Sequence, residues 1–166
     1  MDSNISLYIE RSENELDLAN VIYIVTSDEK LQREIFHIDK VQTFYSGVIA
    51  HSYYSIFYAA KAYLLTKCMQ TKPPSEHKKT YVQFRKLVFK GIIKKDLLKA
   101  YEEEYIKAEN LLRIFKSERK KRGHFTYQRL AQANREPAEK SISNARIFFK
   151  HINRLCENYI KKENHK

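Results

Sequence analysis

Glycine and proline are scarce in this chain, three of each in 166 residues. Sandwiches and barrels need turn residues every few positions, so the shortage excludes an all-β fold. Only two cysteines occur, Cys68 and Cys156, far apart and with no CxxC or Cys/His spacing around either. Both fall in apolar stretches of predicted helices, which makes them expected to be reduced, buried thiols. No apolar run reaches the ~18 residues that a membrane-crossing helix needs. Asp2, Glu10 and Arg11 interrupt the start, where a leader peptide would be apolar. The chain is therefore expected to be cytoplasmic and to have no membrane partner. A glycine-rich phosphate loop is missing, which argues against an ATPase or kinase. No HxxxH, HExxH or paired-carboxylate motif joins His51 and His77, so neither a metal nor another cofactor is expected. His51 reads instead as a core histidine bonded to a neighbouring side chain, and His77 as a structural residue in the first turn of a helix.

What is present points to long helices. Lys, Glu, Leu, Ala and Ile dominate, and 166 residues fit one domain spanning 1–166 with a core that needs no staples. The formal charge is +11, from 31 Lys plus Arg against 20 Asp plus Glu. That balance favours an anionic partner, whether nucleic acid, membrane surface or acidic protein, and by itself equally describes a solvated basic face.

Hydrophobic periodicity predicts an all-α, up-and-down bundle of about five helices. The first runs from about Ile5 to Thr26 with Asn4 as cap, and Asp28 starts a short helix through Phe36. The second, about Lys40 to Lys67, carries the strongest pattern. Phe44, Val48, His51, Ser55, Tyr58, Ala62 and Leu65 recur in alternating steps of four and three, one helical stripe. Small Ser52, Ser55, Ala59 and Ala60 stand beside large Tyr53, Tyr54, Phe57 and Tyr58, so neighbouring helices can approach closely while rings fill the remaining volume. This helix is apolar on more than one side and is placed centrally. Ser75 caps the third helix after Pro73-Pro74, and Gly91 ends it. The fourth starts near Lys94 or Lys95 with the stripe Leu97, Tyr101, Tyr105, Ala108, Leu112, Phe115, and Gly123 stops it. Glu102, Glu103 and Glu104 read as a solvated face. The fifth begins near Pro137, and the tail from about Lys161 is expected to fray.

One stretch is not explained by packing: RIFKSERKKRGHFTY, Arg113 to Tyr127. From Arg113 to Arg122, six of ten residues are basic: Arg113, Lys116, Arg119, Lys120, Lys121 and Arg122. No single solvated face holds all six. Arg119 falls in the phase that its own helix uses for the core, so either the core has ended there or the guanidinium enters a cleft or interface. His124 follows Gly123. In a continuous helix, residues five apart sit about 140° around the axis, whereas a left-handed Gly123 would fold His124 back beside Arg119. An imidazole moves protons near neutrality. A guanidinium grips a phosphate with two hydrogen bonds and stabilises developing charge. RNA supplies its own nucleophile, the 2′-hydroxyl, so this pair can cleave it without a metal.

Four stretches in order resemble the HEPN superfamily. They are SYYSIFYAAKAYLL (Ser52 to Leu65), SEHKKTYVQF (Ser75 to Phe84), ERKKRGHFTY (Glu118 to Tyr127, at the place of the family's Arg, four to six residues, His motif) and EPAEKSISNARIFFKHI (Glu136 to Ile152). The resemblance covers most of Tyr45 to Ile160. It implies an all-α bundle that forms a homodimer in which the Arg/His motifs of two subunits meet as a metal-independent ribonuclease. On this chain Arg119 would hold the phosphate and His124 would act as general acid or base. Arg113, Lys116, Lys120, Lys121 and Arg122 would bind RNA, and the product end would be a 2′,3′-cyclic phosphate. Many such proteins are toxins paired with an MNT-type nucleotidyltransferase antitoxin. In one subgroup the antitoxin adds AMP to a tyrosine two residues after the His. That position is Thr126 here, and Tyr127, one further on, is the candidate modified residue. Lys120 also departs from the polar Asn, Asp or His common after the motif Arg. That leaves a non-catalytic RNA- or nucleotide-binding module, or a subunit that docks a nucleotidyltransferase, as the alternatives.

Overall fold

The computed structural model describes the backbone of residues 2–120 and 135–163, and the side chains of 3–111 and 135–163. Among the described residues five α-helices make an all-α bundle: α1 (Asp2–Ser27), α2 (Tyr45–Leu65), α3 (Glu76–Phe89), α4 (Lys95–Lys120) and α5 (Arg135–Glu163), with a π-helical turn at Leu31–Ile35 after α1. No strand occurs among the described residues, and none of their helices is long and apolar enough to cross a membrane.

Helix α2 is the centre, packed against all four others. Its buried residues run almost around the helix from Ala59 to Leu65, which requires neighbours on every side. The small residues set how close those neighbours come. Fully buried Ser12 of α1 donates to the Ser55 carbonyl at 2.7 Å, an approach that larger side chains would block. Cross-helix pairs fix directions. Tyr8 stacks on Tyr58, while Tyr23 meets Tyr45, so α1 and α2 are antiparallel. Tyr81 reaches Tyr105, while Phe84 reaches Tyr101, so α3 and α4 are antiparallel. Tyr101 meets Phe148 and Lys107 meets Ser141, so α4 and α5 are antiparallel too. One end of the bundle therefore holds the end of α1, the start of α2, the last turns of α4 and the start of α5. The α3–α4 corner lies at the other end.

Several sequence boundaries move, each for a tertiary reason. Helix α1 starts before Asn4, which is thus no cap; Ile5 is fully buried, and packing holds the first turn. Helix α2 starts at Tyr45 rather than Lys40. The Gln42 N–H donates to the Gln32 side chain and its C=O accepts from it, and the Phe44 N–H donates to Thr26 Oγ1 at 2.6 Å, so these backbone groups are engaged outside the helix. The short helix after Asp28 is a π-helical turn. Ser75 stands at the N-cap position of α3 in a left-handed conformation, φ 60°, without a side-chain capping bond. Helix α5 begins at Arg135 and continues to Glu163, past the expected fraying point, because Tyr159 and Ile160 still pack on the core. Cys156 is buried and its thiol is pushed up to about 12 by burial, but Cys68 is exposed, in a left-handed turn after α2. The Gly123 stop lies outside the described residues.

Gln32 carries the connection between α1 and α2. It is fully buried, and its amide donates to Val25 O at 3.0 Å and Gln42 O at 2.9 Å while accepting from Gln42 N at 2.8 Å. Gln32→Leu keeps the volume but leaves these backbone groups without partners. Chemical denaturation should show a loss of about 1–3 kcal/mol, because the freed groups belong to exposed Gln42 and half-buried Val25 and can turn in part to water. A loss below ~0.5 kcal/mol would mean that water replaces the amide.

Candidate functional site

Arg113, Lys116, Arg119 and Lys120 fall on the last turns of α4, and their side chains are not described. Lys121, Arg122, His124 and Tyr127 lie outside the described residues, so the approach of His124 to Arg119 is not placed. What the structure defines is the frame on either side: α4 leads into the segment and α5 receives the chain from it. Arg119 follows fully buried Tyr101 by about five whole helical turns, the same angular phase of α4.

The two flanking helices are locked by a polar seam and an apolar floor. Glu104 is fully buried. It accepts from Lys107 Nζ at 2.8 Å and Asn144 Nδ2 at 3.0 Å. Lys107 also donates to Ser141 Oγ at 3.0 Å, and Ser141 donates to the Pro137 carbonyl at 2.9 Å. Beside it Glu103 pairs with Lys140 at 3.0 Å and accepts from Asn144 at 3.2 Å. The Lys140 hydrogen bond, with help from Asn144, holds the Glu103 carboxyl below its usual range against the opposing effect of burial. Tyr81 donates to Glu102 at 2.7 Å. The three glutamates are therefore not one solvated face. The buried phase of α4 runs Leu97, Tyr101, Glu104, Ala108, and Tyr105 is half-buried. The sequence offered a signal for this, since Glu104 sits three residues after Tyr101 and four before Ala108. The acidic triplet obscured it.

Nearer the segment, half-buried Leu111 packs against the cluster of Ala19, Val48, Ile49, Ala138 and Ile142, which with it joins four helices. At the first turn of α5, Arg135 donates to Glu139 at 2.9 Å and Tyr23 of α1 donates to the same carboxylate. The Tyr23 hydroxyl first, then Arg135, hold Glu139 below the usual carboxylate range. The chain therefore re-enters the described structure at a position tied to both α1 and α2. Among the described residues no group of three metal-ligating side chains comes together.

His51 and His77 are anchors. His51 Nδ1 lies 2.6 Å from Glu15 Oε2, tying α2 to α1. His77 Nδ1 lies 2.8 Å from Tyr53 Oη, and its ring stacks on Phe57 at 4.0 Å. Next to it, Lys61 is buried against Glu76, with its Nζ 4.3 Å from the centre of the Tyr8 ring. Burial opposes the charge of Lys61, but hydrogen bonds with Glu76 and Tyr8 outweigh it and raise the pKa. Burial lowers the His77 pKa, more than Glu76 raises it, and Lys61 adds to the lowering. The folded chain therefore keeps His77 neutral where the unfolded chain, with a pKa near 6.5, takes up a proton. Stability should fall as pH drops through about 6.5 and continue falling to the folded-state pKa. His77→Phe should flatten this dependence between about pH 7.5 and 5.5 in denaturation midpoints. Parallel curves for the two proteins would remove His77 as its source. Glu103 and Glu139, both lowered, lose their contributions only in the acid range below this window.

Comparison of the chain with family models, curated proteins and solved structures gives no match.

Proposed function

We propose that this chain is a HEPN-type, metal-independent endoribonuclease, acting as the toxin of a pair whose antitoxin is an MNT-type nucleotidyltransferase. The observation that carries this reading is the order of the four HEPN-like stretches, with the basic Arg/His segment beginning on the last turns of α4 and followed along the chain by α5. The chemistry asked of the segment is balanced within the RNA. The 2′-oxygen forms a bond to phosphorus, the bond to the 5′-oxygen breaks, and the 2′-hydroxyl proton is removed as another is delivered to the leaving oxygen. His124 performs one of these proton transfers, and Arg119 neutralises charge on the phosphate oxygens. A homodimer would bring two such segments together. Exposed Ile24, Ile35 and Phe36 lie at the segment's end of the bundle and are the kind of surface that a second copy would cover.

The test is cleavage of single-stranded RNA by the purified chain with a chelator present, followed by analysis of the product ends. Chelator-resistant cutting that leaves 2′,3′-cyclic phosphates is the expected result. RNA that is bound but never cut would favour the second reading, a non-catalytic module that binds RNA or docks the nucleotidyltransferase. Lys120, in place of the polar residue common after the motif Arg, leaves room for that reading.

A further inference from the structure

Positive charge is concentrated at a second place, remote from the Arg/His segment. From Lys78 to Lys99 eight residues are basic and one, Asp96, is acidic. The structure gathers most of them at the corner where α3 turns into α4. Arg85, Lys86, Lys90, Lys94 and Lys95 are all exposed there, and none pairs with a carboxylate among the described residues. The same corner carries the most exposed large apolar side chain among the described residues, Phe89, 70% accessible at the last turn of α3. Exposed Ile92 follows it in the turn. Gly91, at φ +70°, makes the turn, and nothing lies within 4 Å of where its Cβ would be, so the tip faces open space. The Arg85 guanidinium sits 5.1 Å from the centre of the Phe89 ring, one turn earlier on the same helix.

We infer that this corner is a binding site for single-stranded RNA, in which Phe89 stacks a base while Arg85 and the flanking lysines hold successive phosphates. Proteins that bind single strands irrespective of sequence combine these two parts, an aromatic face and a run of cations along the backbone path. The position of Arg85 over the ring favours this occupant over an anionic bilayer. To enter a bilayer, the ring would have to sink below the headgroups, dragging the guanidinium down or separating from it. A stacked base needs only the free face of the ring and places its phosphate within reach of Arg85. The site stands apart from the ribonuclease reading. Helix α4 has 26 residues and is thus about 39 Å long, which separates the corner from the Arg/His segment. A short oligonucleotide could engage only one of the two sites.

Binding can be read without cleavage, using a fluorescent 2′-O-methyl uridine oligomer, which has no free 2′-hydroxyl, and the full chain. Phe89→Ala should weaken binding by about 5- to 150-fold, the range a stacked base carries, and Phe89→Tyr should restore it. Lys90→Gln combined with Lys94→Gln should make the salt dependence shallower by about 0.7 in the log–log slope for each phosphate that is no longer neutralised. Because these side chains are exposed, thermal unfolding should be unchanged. Wild-type affinity and salt slope in all these variants would overturn the site. So would a Phe89-dependent attachment to phosphatidylserine vesicles with RNA binding unaffected, which would assign the corner to a membrane surface.

Discussion

His124→Ala is expected to lower RNA cleavage by about 10²- to 10⁴-fold, the range that a positioned general acid or base contributes. The imidazole is the one side chain of the segment whose unperturbed pKa lets it both take and give a proton near neutrality. The six cations around it are expected to remain charged and to bind phosphate, but not to exchange protons. Alanine therefore removes the proton transfer and should leave RNA affinity nearly intact, so the loss should appear in the single-turnover rate rather than in binding. Arg119→Ala should reduce both. Arg119→Lys should recover only part of the loss, since an ammonium gives a point charge where the guanidinium gives two parallel hydrogen bonds. Both variants should keep the wild-type unfolding temperature. Undiminished cleavage by His124→Ala and Arg119→Ala would show that the chemistry, if any, lies elsewhere. The Phe89 variants separate this site from the α3–α4 corner: they should weaken the grip on a long RNA without abolishing cleavage.

Phe148→Ala is expected to cost about 3–5 kcal/mol of stability, the range for a fully buried phenylalanine. Its ring lies 5.3 Å from Phe84 of α3 and 5.7 Å from Tyr101 of α4, and all three side chains are fully buried. These rings are where α3, α4 and α5 meet, and rigid helix backbones cannot close the gap that a missing ring leaves. For a chain of this size the melting temperature should fall by roughly 6–20 °C. Phe148→Leu should cost less, because it retains most of the volume. Phe89→Ala is the matched control, since the same chemical deletion at an exposed site should change stability by under ~0.5 kcal/mol. A loss below about 1 kcal/mol at Phe148 would contradict the packing of the three helices.

The elements most legible in the sequence were those whose burial repeats with the helical period. The stripe from Phe44 to Leu65 marked α2, with Val48, Ser55, Ala62 and Leu65 buried and Phe44, His51 and Tyr58 half-buried; the run Ala138, Ile142, Ala145, Phe149, Ile152, Cys156 and Tyr159 marked α5, but Phe149 and Tyr159 are half-buried and the neighbouring Phe148 takes the fully buried place. Periodicity alone could not locate the start of α2, because the Gln32 amide that holds residue 42 comes from ten residues away. Nor could it separate Glu104 from Glu102 and Glu103. A buried carboxylate needs partners, and Glu104 takes one, Lys107, from its own helix and the other, Asn144, only when α5 docks, where Ser141 also receives the Lys107 ammonium. The basic segment was equally plain as a composition, but its chemistry depends on one approach of His124 to Arg119, which no spacing fixes.

Local sequence was enough to specify an all-helical chain, its central helix and the two concentrations of positive charge. These properties are set by side-chain type and by a period that every helix shares. Packing was needed to leave the Phe89 ring of the α3–α4 corner uncovered and to bring Glu104 into the core. Each of these depends on which surfaces helices separated along the chain present to one another, and hydrophobic burial, being non-directional, does not specify that until the whole bundle is packed.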